Sequence, residues 1–136
     1  MNVIIAGDGE VGMHLAEALE RSDHNITIVD PHKELLKMVE SHSDLMTITG
    51  DSTSIKVLQQ ANVKKADLVI AVLHDERTNL LTGILAKKLG AKKVIVHSHA
   101  TGFDNLKYRL IKAASPFIFK GNATHYLACS KMAAEW

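Results

Sequence analysis

The sequence predicts an α/β fold: a doubly wound parallel sheet with helices on both faces, in three layers. Two observations carry this. Short apolar runs alternate with helical stretches over residues 3–97, and the first run leads straight into a turn with glycines at positions 7, 9 and 12.

The apolar runs are VIIA (3–6), ITIV (26–29), LMTI (45–48), LVIAV (68–72) and VIV (94–96). They are short and largely β-branched, the pattern of strands buried on both faces of a parallel sheet. After the first run, Val11, Leu15, Ala18 and Leu19 recur at helical spacing, and Leu35, Leu36 and Val39 form a shorter stripe after the second. Ser52, Thr53 and Ser54 read as the entry to a short helix over Ile55–Gln60, because serine and threonine favour helix starts. Leu81, Ile84, Leu85 and Leu89 make a last stripe, ended by Gly90 as a C-terminal cap. Alternation of this kind requires right-handed crossovers between parallel strands.

Beyond His97 the pattern predicts a helix over 103–114, a sixth strand at PFIF (116–119) and a closing helix over 123–136. The aromatic residues of this tail are expected to cap the sheet, with an exposed partner surface as the alternative. Residues 1–112 are therefore read as one domain, with 113–136 as an atypical C-terminal strand and helix extension of it.

Composition removes several classes of function. Sixteen basic and fifteen acidic side chains leave a net charge of +1, with no basic surplus for nucleic acid. The eight histidines are scattered without HExxH spacing or a cysteine partner, so no metal site is expected. One cysteine, Cys129, cannot form an internal disulfide, which suits a reducing cytoplasmic compartment. No apolar run approaches the ~20 residues of a membrane span, so a membrane partner would be met from the water side.

Gly7-Asp8-Gly9-Glu10-Val11-Gly12 has the G-x-G-x-x-G spacing between a strand and a helix. In a Rossmann-like sheet the first glycine permits the tight turn, the second lets a pyrophosphate approach the backbone, and the third lets helix and strand pack closely. The amides around Glu10 to Gly12 lie at a helix N-terminus, where free N–H groups and the dipole favour an anion. Asp30 closes the second strand, where a carboxylate accepts from the ribose hydroxyls of an adenine nucleotide. An acid there disfavours a 2′-phosphate, so NAD(H) is expected over NADP(H), with ATP or ADP as the other candidates. Pro31 and Lys33 are placed beside the ribose, and the basic His32 and Lys33 temper the preference. Gly50, Asp51 and Ser52 follow the third strand and are expected in the crevice, although Asp51 could equally cap the next helix. Asn79, in the HDERTN stretch after the fourth strand, is the expected ligand contact there.

No catalytic residue is assigned. A hydride-transfer enzyme needs a substrate site and usually a positioned acid or base, and no inserted lid is present in the sequence to cover one. A small NAD-dependent oxidoreductase, or a fragment of one, is the alternative to a binding module.

IIAGDGEVGMHLAEAL, ITIVD, TGDSTSIKVLQQANVKKADLVIAV and DERTNLLTGILAKKLGAKKVIV together resemble the KTN/RCK domain. This is the cytosolic nucleotide-binding domain of Trk- and Ktr-type potassium uptake systems and of some potassium channels. The resemblance implies a ligand sensor that changes shape on binding NAD(H) or ATP/ADP. It also implies a homodimer or larger ring at the inner face of the cell membrane, beneath a potassium-translocating subunit. Gly7, Gly9 and Gly12 would cradle the phosphates, Asp30 would hold the ribose, and Asp51 and Asn79 would line the pocket. Two departures stand out. His97 occupies a position where such domains often carry arginine, so it either serves as a weaker, pH-dependent phosphate partner or the contact is lost. Residues 113–136 do not match the family's usual continuation.

Overall fold

The computed structural model describes residues 1–7, 9–43, 45–98 and 125–128. Within them the chain forms β1 (Asn2–Gly7), α1 (Glu10–Glu20), β2 (Asn25–Asp30), α2 (Lys33–His42), β3 (Met46–Thr49), α3 (Ile55–Gln60), β4 (Leu68–Val72), α4 (Glu76–Lys88), β5 (Lys93–Ser98) and β6 (His125–Ala128). A single 3-10 turn, Val63–Lys65, joins α3 to β4. The six strands make one sheet in the order β3-β2-β1-β4-β5-β6, and every neighbouring pair is parallel. This is the doubly wound arrangement.

Strand alternation separates the interior into two layers, because successive side chains point to opposite faces. Val3, Ile5, Ile26, Ile28, Ile70 and Val72 pack against Ala16 of α1 and Leu36 and Val39 of α2. On the other face Ile4, Val29, Val69, Val94 and Val96 pack against Leu58 of α3 and Ala86 of α4. Full burial of each such aliphatic side chain contributes about 1.5–3 kcal/mol. β3 departs from the expected two-sided burial: as an edge strand it leaves Met46 60% exposed.

Two helices sit rotated from the stripes their large apolar residues suggest. In α1 the buried positions are Gly12 and Ala16, while Val11 is 55% exposed. In α4 they are Asn79, Thr82, Gly83 and Ala86, while Leu81 faces outward. Close approach is the reason. A Cβ on Gly83 would lie 2.5 Å from Cγ2 of Val96, so only a bare glycine lets α4 settle on β5 at this separation. Gly90, at φ 110°, follows α4 and turns the chain toward β5, as a glycine cap does.

The expected closing helix over 123–136 is corrected at its start, where His125–Ala128 is a strand paired with β5 through Ile95–His125 to Ser98–Ala128. Without it β5 would present an open row of backbone donors and acceptors, and pairing along that edge outweighs the weak helical preference of four residues. The expected helix over 103–114, the strand at 116–119 and the remainder of the closing helix lie outside the described residues.

Candidate functional site

The site follows from the topology. From β1 the chain leaves through α1 on one face, and from β4 it leaves through α4 on the other. The helices diverge where strand order reverses, and a crevice opens at the carboxyl ends of β1 and β4. Ala6 and Ala71 are paired neighbours there, buried with Leu73 in a small apolar cluster.

The glycine turn forms one wall. A Cβ on Gly7 would stand 3.3 Å from the Gly12 Cα, and one on Gly12 would stand 3.4 Å from the Gly7 Cα. The first turn of α1 therefore rests directly on the end of β1. Gly9 is the N-cap of α1 at φ 156°, ψ −156°, a region essentially restricted to glycine. A Cβ there would meet only Cε1 of His74, at 3.6 Å, so the backbone conformation demands glycine more than the space does. The N-cap residue, Gly9, brings no side chain of its own to cap α1. At the first amides of a helix the dipole favours an anionic acceptor. Glu10 and Val11 are exposed on this turn, and Asp8 lies outside the described residues.

The second wall is the end of β2. Asp30 is 3% exposed, and a buried carboxyl group is costly without donors. The His32 backbone N–H donates to its Oδ1 at 2.7 Å, and His32 Nδ1 lies 2.9 Å from the same oxygen. Oδ2 points the other way, 3.9 Å from where a Gly7 Cβ would be, and no described residue hydrogen-bonds it. The Asp30 carbonyl accepts from Gly50 N–H at 3.1 Å, which links the ends of β2 and β3. Pro31 and Lys33 are exposed beside it.

The other expected residues divide by role. Asp51 is exposed, and its Oδ1 accepts from both the N–H and the hydroxyl of Thr53 at 2.7 Å. The Thr53 hydroxyl, then its N–H, hold the Asp51 carboxyl below the usual carboxylate range. These bonds close the loop ahead of α3, whose N-cap is Ser54. Ser52 is 1% exposed, with its hydroxyl 2.9 Å from that of Thr82 on α4. It anchors the β3–α3 loop to the opposite helix.

Asn79 is fully buried and committed within the fold. Its Oδ1 accepts from Leu73 N–H at 2.6 Å, and its Nδ2 donates to the carbonyls of Leu73 at 2.7 Å and His97 at 3.0 Å. It ties the ends of β4 and β5 to the head of α4 and so shapes the crevice without opening onto it. The half-buried His97 shares the Ile95 face of β5 by strand alternation, one strand beyond β4. His74 received no role from the sequence, yet it is exposed at the end of β4 and faces Gly9. Its place immediately after the strand at the switch point was the available signal.

Gly7, Gly9, Gly12, Asp30 and His74 thus lie together around the carboxyl end of β1, while Ser52 and Asn79 are hydrogen-bonded within the fold. The comparisons agree with this architecture. A Trk system potassium uptake protein TrkA homolog of Archaeoglobus fulgidus is 43% identical over 96 residues, 71% of this chain and 22% of that protein. The chain spans under half the length of the curated relatives it matches. Among solved structures, the TrkA-N domain of the inner membrane protein ybaL from Escherichia coli superposes with a TM-score of 0.78 at 15% identity, over 98% of this chain and 90% of that one. A GsuK channel bound to NAD gives 0.72 at 17% identity, over 93% of this chain and 21% of that one. The family model of the TrkA-N domain matches residues 3–115, and with a glycine turn, a buried strand-end acid and a six-stranded doubly wound sheet in place, the chain belongs to the TrkA-N domain family.

Proposed function

We propose that this chain is a nucleotide-sensing regulatory domain of a Trk- or Ktr-type potassium uptake system, with NAD(H) as its ligand and ATP or ADP as the competing candidates. One observation carries the reading: the glycine turn at the head of α1 lies against a buried Asp30 whose Oδ2 is turned toward Gly7. A pyrophosphate fits the first element and a ribose hydroxyl the second. Relatives named as potassium uptake proteins and a channel of the same fold solved with NAD support the assignment.

The domain acts by binding and does not turn its ligand over. A nucleotide shifts a conformational equilibrium only by its difference in affinity for the two states, and no chemistry is required. Among the described residues no helix is long and apolar enough to cross a membrane. The proposed partner is a potassium-translocating membrane subunit, met at the inner face of the cell membrane by a dimer or larger ring of this chain.

Calorimetric titration with NADH, NAD⁺, ATP and ADP tests the reading, with Asp30→Ala as the comparison. At least one dinucleotide form is expected to bind with a submillimolar Kd. Asp30→Ala should weaken it about tenfold or more, the worth of a hydrogen bond to a charged group. If none of the four binds below the millimolar range, the proposal fails. Turnover of the bound dinucleotide in a redox screen would instead make the domain an oxidoreductase.

A further inference from the structure

The contact between His32 and Asp30 bears on which nucleotide the crevice accepts. This inference rests on the nucleotide-site reading and concerns the ribose end of that site. Both His32 donors meet Oδ1 of Asp30, the N–H at 2.7 Å and Nδ1 at 2.9 Å. The carboxylate side chain is 4% exposed while the imidazole is 57% exposed. One oxygen is thus held from within the fold and the other, Oδ2, is left toward the glycine turn. A carboxylate so oriented presents a single acceptor to a ribose diol. The Nδ1–H tautomer serves this contact with the ring neutral or charged, since a carboxylate neighbour selects it. The outer nitrogen, Nε2, changes its character with protonation.

His32 is also the N-cap residue of α2, and its side chain makes no cap hydrogen bond to that helix. Lys33 follows in the first turn and is exposed. A 2′-phosphate on a ribose held by Asp30 would approach the buried carboxylate and be repelled. With His32 protonated, the imidazolium, Lys33 and the α2 amides would offset that repulsion. Other ionisable groups near this end of the sheet are Glu34 on α2, which pairs with Lys37, Glu10 at the head of α1, and Asp51 after β3, which is held by Thr53. The carboxylate that bonds to His32 is Asp30.

We propose that His32 is the positioning residue of the ribose subsite: it fixes Asp30 by one oxygen, and its protonation sets how strongly the site rejects a 2′-phosphate. Selectivity for NAD⁺ over NADP⁺ should then fall on acidification.

The test is calorimetric binding of NAD⁺ and NADP⁺ to the full chain at about pH 6 and about pH 8. His32→Asn places an amide nitrogen where Nδ1 stands but cannot take a proton, and His32→Ala removes the donor. The 2′-phosphate titrates near pH ~6 by itself, so the asparagine variant supplies the baseline. In the wild type the NAD⁺/NADP⁺ affinity ratio should change between the two pH values by about tenfold more than in His32→Asn, since ion-paired hydrogen bonds are the strong ones. His32→Ala should lose NAD⁺ affinity several-fold relative to the wild type, and more than His32→Asn does. An equal pH response in wild type and His32→Asn, or unchanged NAD⁺ affinity in His32→Ala, overturns the proposal while leaving the nucleotide site standing. Failure of NAD⁺ to bind the wild type at either pH overturns both.

Discussion

Replacing Asn79 by aspartate exchanges one amide nitrogen for oxygen and leaves the side-chain volume almost unchanged. The site is fully buried, and Nδ2 donates to two carbonyls, Leu73 at 2.7 Å and His97 at 3.0 Å. In the variant an oxygen faces those two oxygens instead. If the new carboxyl stays ionised, an uncompensated buried charge costs about 3–5 kcal/mol. If it takes a proton it can donate to one of the carbonyls, and the cost falls to about 1–3 kcal/mol for the acceptor left unsatisfied. Burial and the two carbonyl dipoles both raise the folded-state pKa of this carboxyl above its unfolded value near 3.9. The penalty is therefore smallest below about pH 4 and grows as pH rises toward the folded pKa, beyond which it is constant. At neutral pH a loss of about 3–5 kcal/mol lowers the melting temperature of a chain this size by roughly 10–20 °C. Thermal unfolding followed by circular dichroism at several pH values reads this out. Acid effects common to both proteins cancel in the difference. A melting temperature matching the wild type at neutral pH, or a penalty that does not grow with pH, would refute the assignment of Asn79 as the link between β4, β5 and α4.

Two further perturbations probe the scaffold. Gly83→Ala should destabilise by about 1–3 kcal/mol through overpacking, although alanine is the better helix former by about 1 kcal/mol. The reason is the 2.5 Å approach to Val96. Adding Val96→Ala should recover part of the loss in a double-mutant cycle, and simple additivity would count against the contact. Asp75 caps α4, accepting from Thr78 N–H at 3.0 Å, and Asp75→Ala should cost about 0.5–2 kcal/mol at neutral pH. The Thr78 hydroxyl, more than its N–H, holds the Asp75 pKa below the ordinary carboxylate value. The cap's contribution is thus present above about pH 4 and lost as pH falls through the lowered folded pKa. The stability gap between the two proteins should close in acid, and a gap that persists would show that the carboxylate is not what stabilises the helix.

Strand positions and the glycine turn were legible because their signals are local. A β-branched run such as LVIAV marks β4 without reference to any neighbour, and Gly9 is required by a backbone conformation set within its own turn. Helix faces were less legible. Sequence reading weights large apolar residues, yet α1 and α4 meet the sheet through Gly12, Ala16, Gly83 and Ala86, where small size permits close approach. The strand at His125–Ala128 depends on an open edge of β5 that no local pattern encodes.

By itself, the sequence determined the fold class, the glycine turn and the acid that closes β2, since each depends on periodicity or on chemistry within a few residues. Tertiary structure alone decided what the polar residues around the crevice do. Asp51 and Asn79 both follow strands, the first expected either in the crevice or as a cap and the second as a ligand contact. One caps its own loop through Thr53, and the other bridges the ends of β4 and β5. A hydrogen bond depends on distance and direction in three dimensions, and strand–helix crossovers bring together groups that spacing along the chain leaves apart.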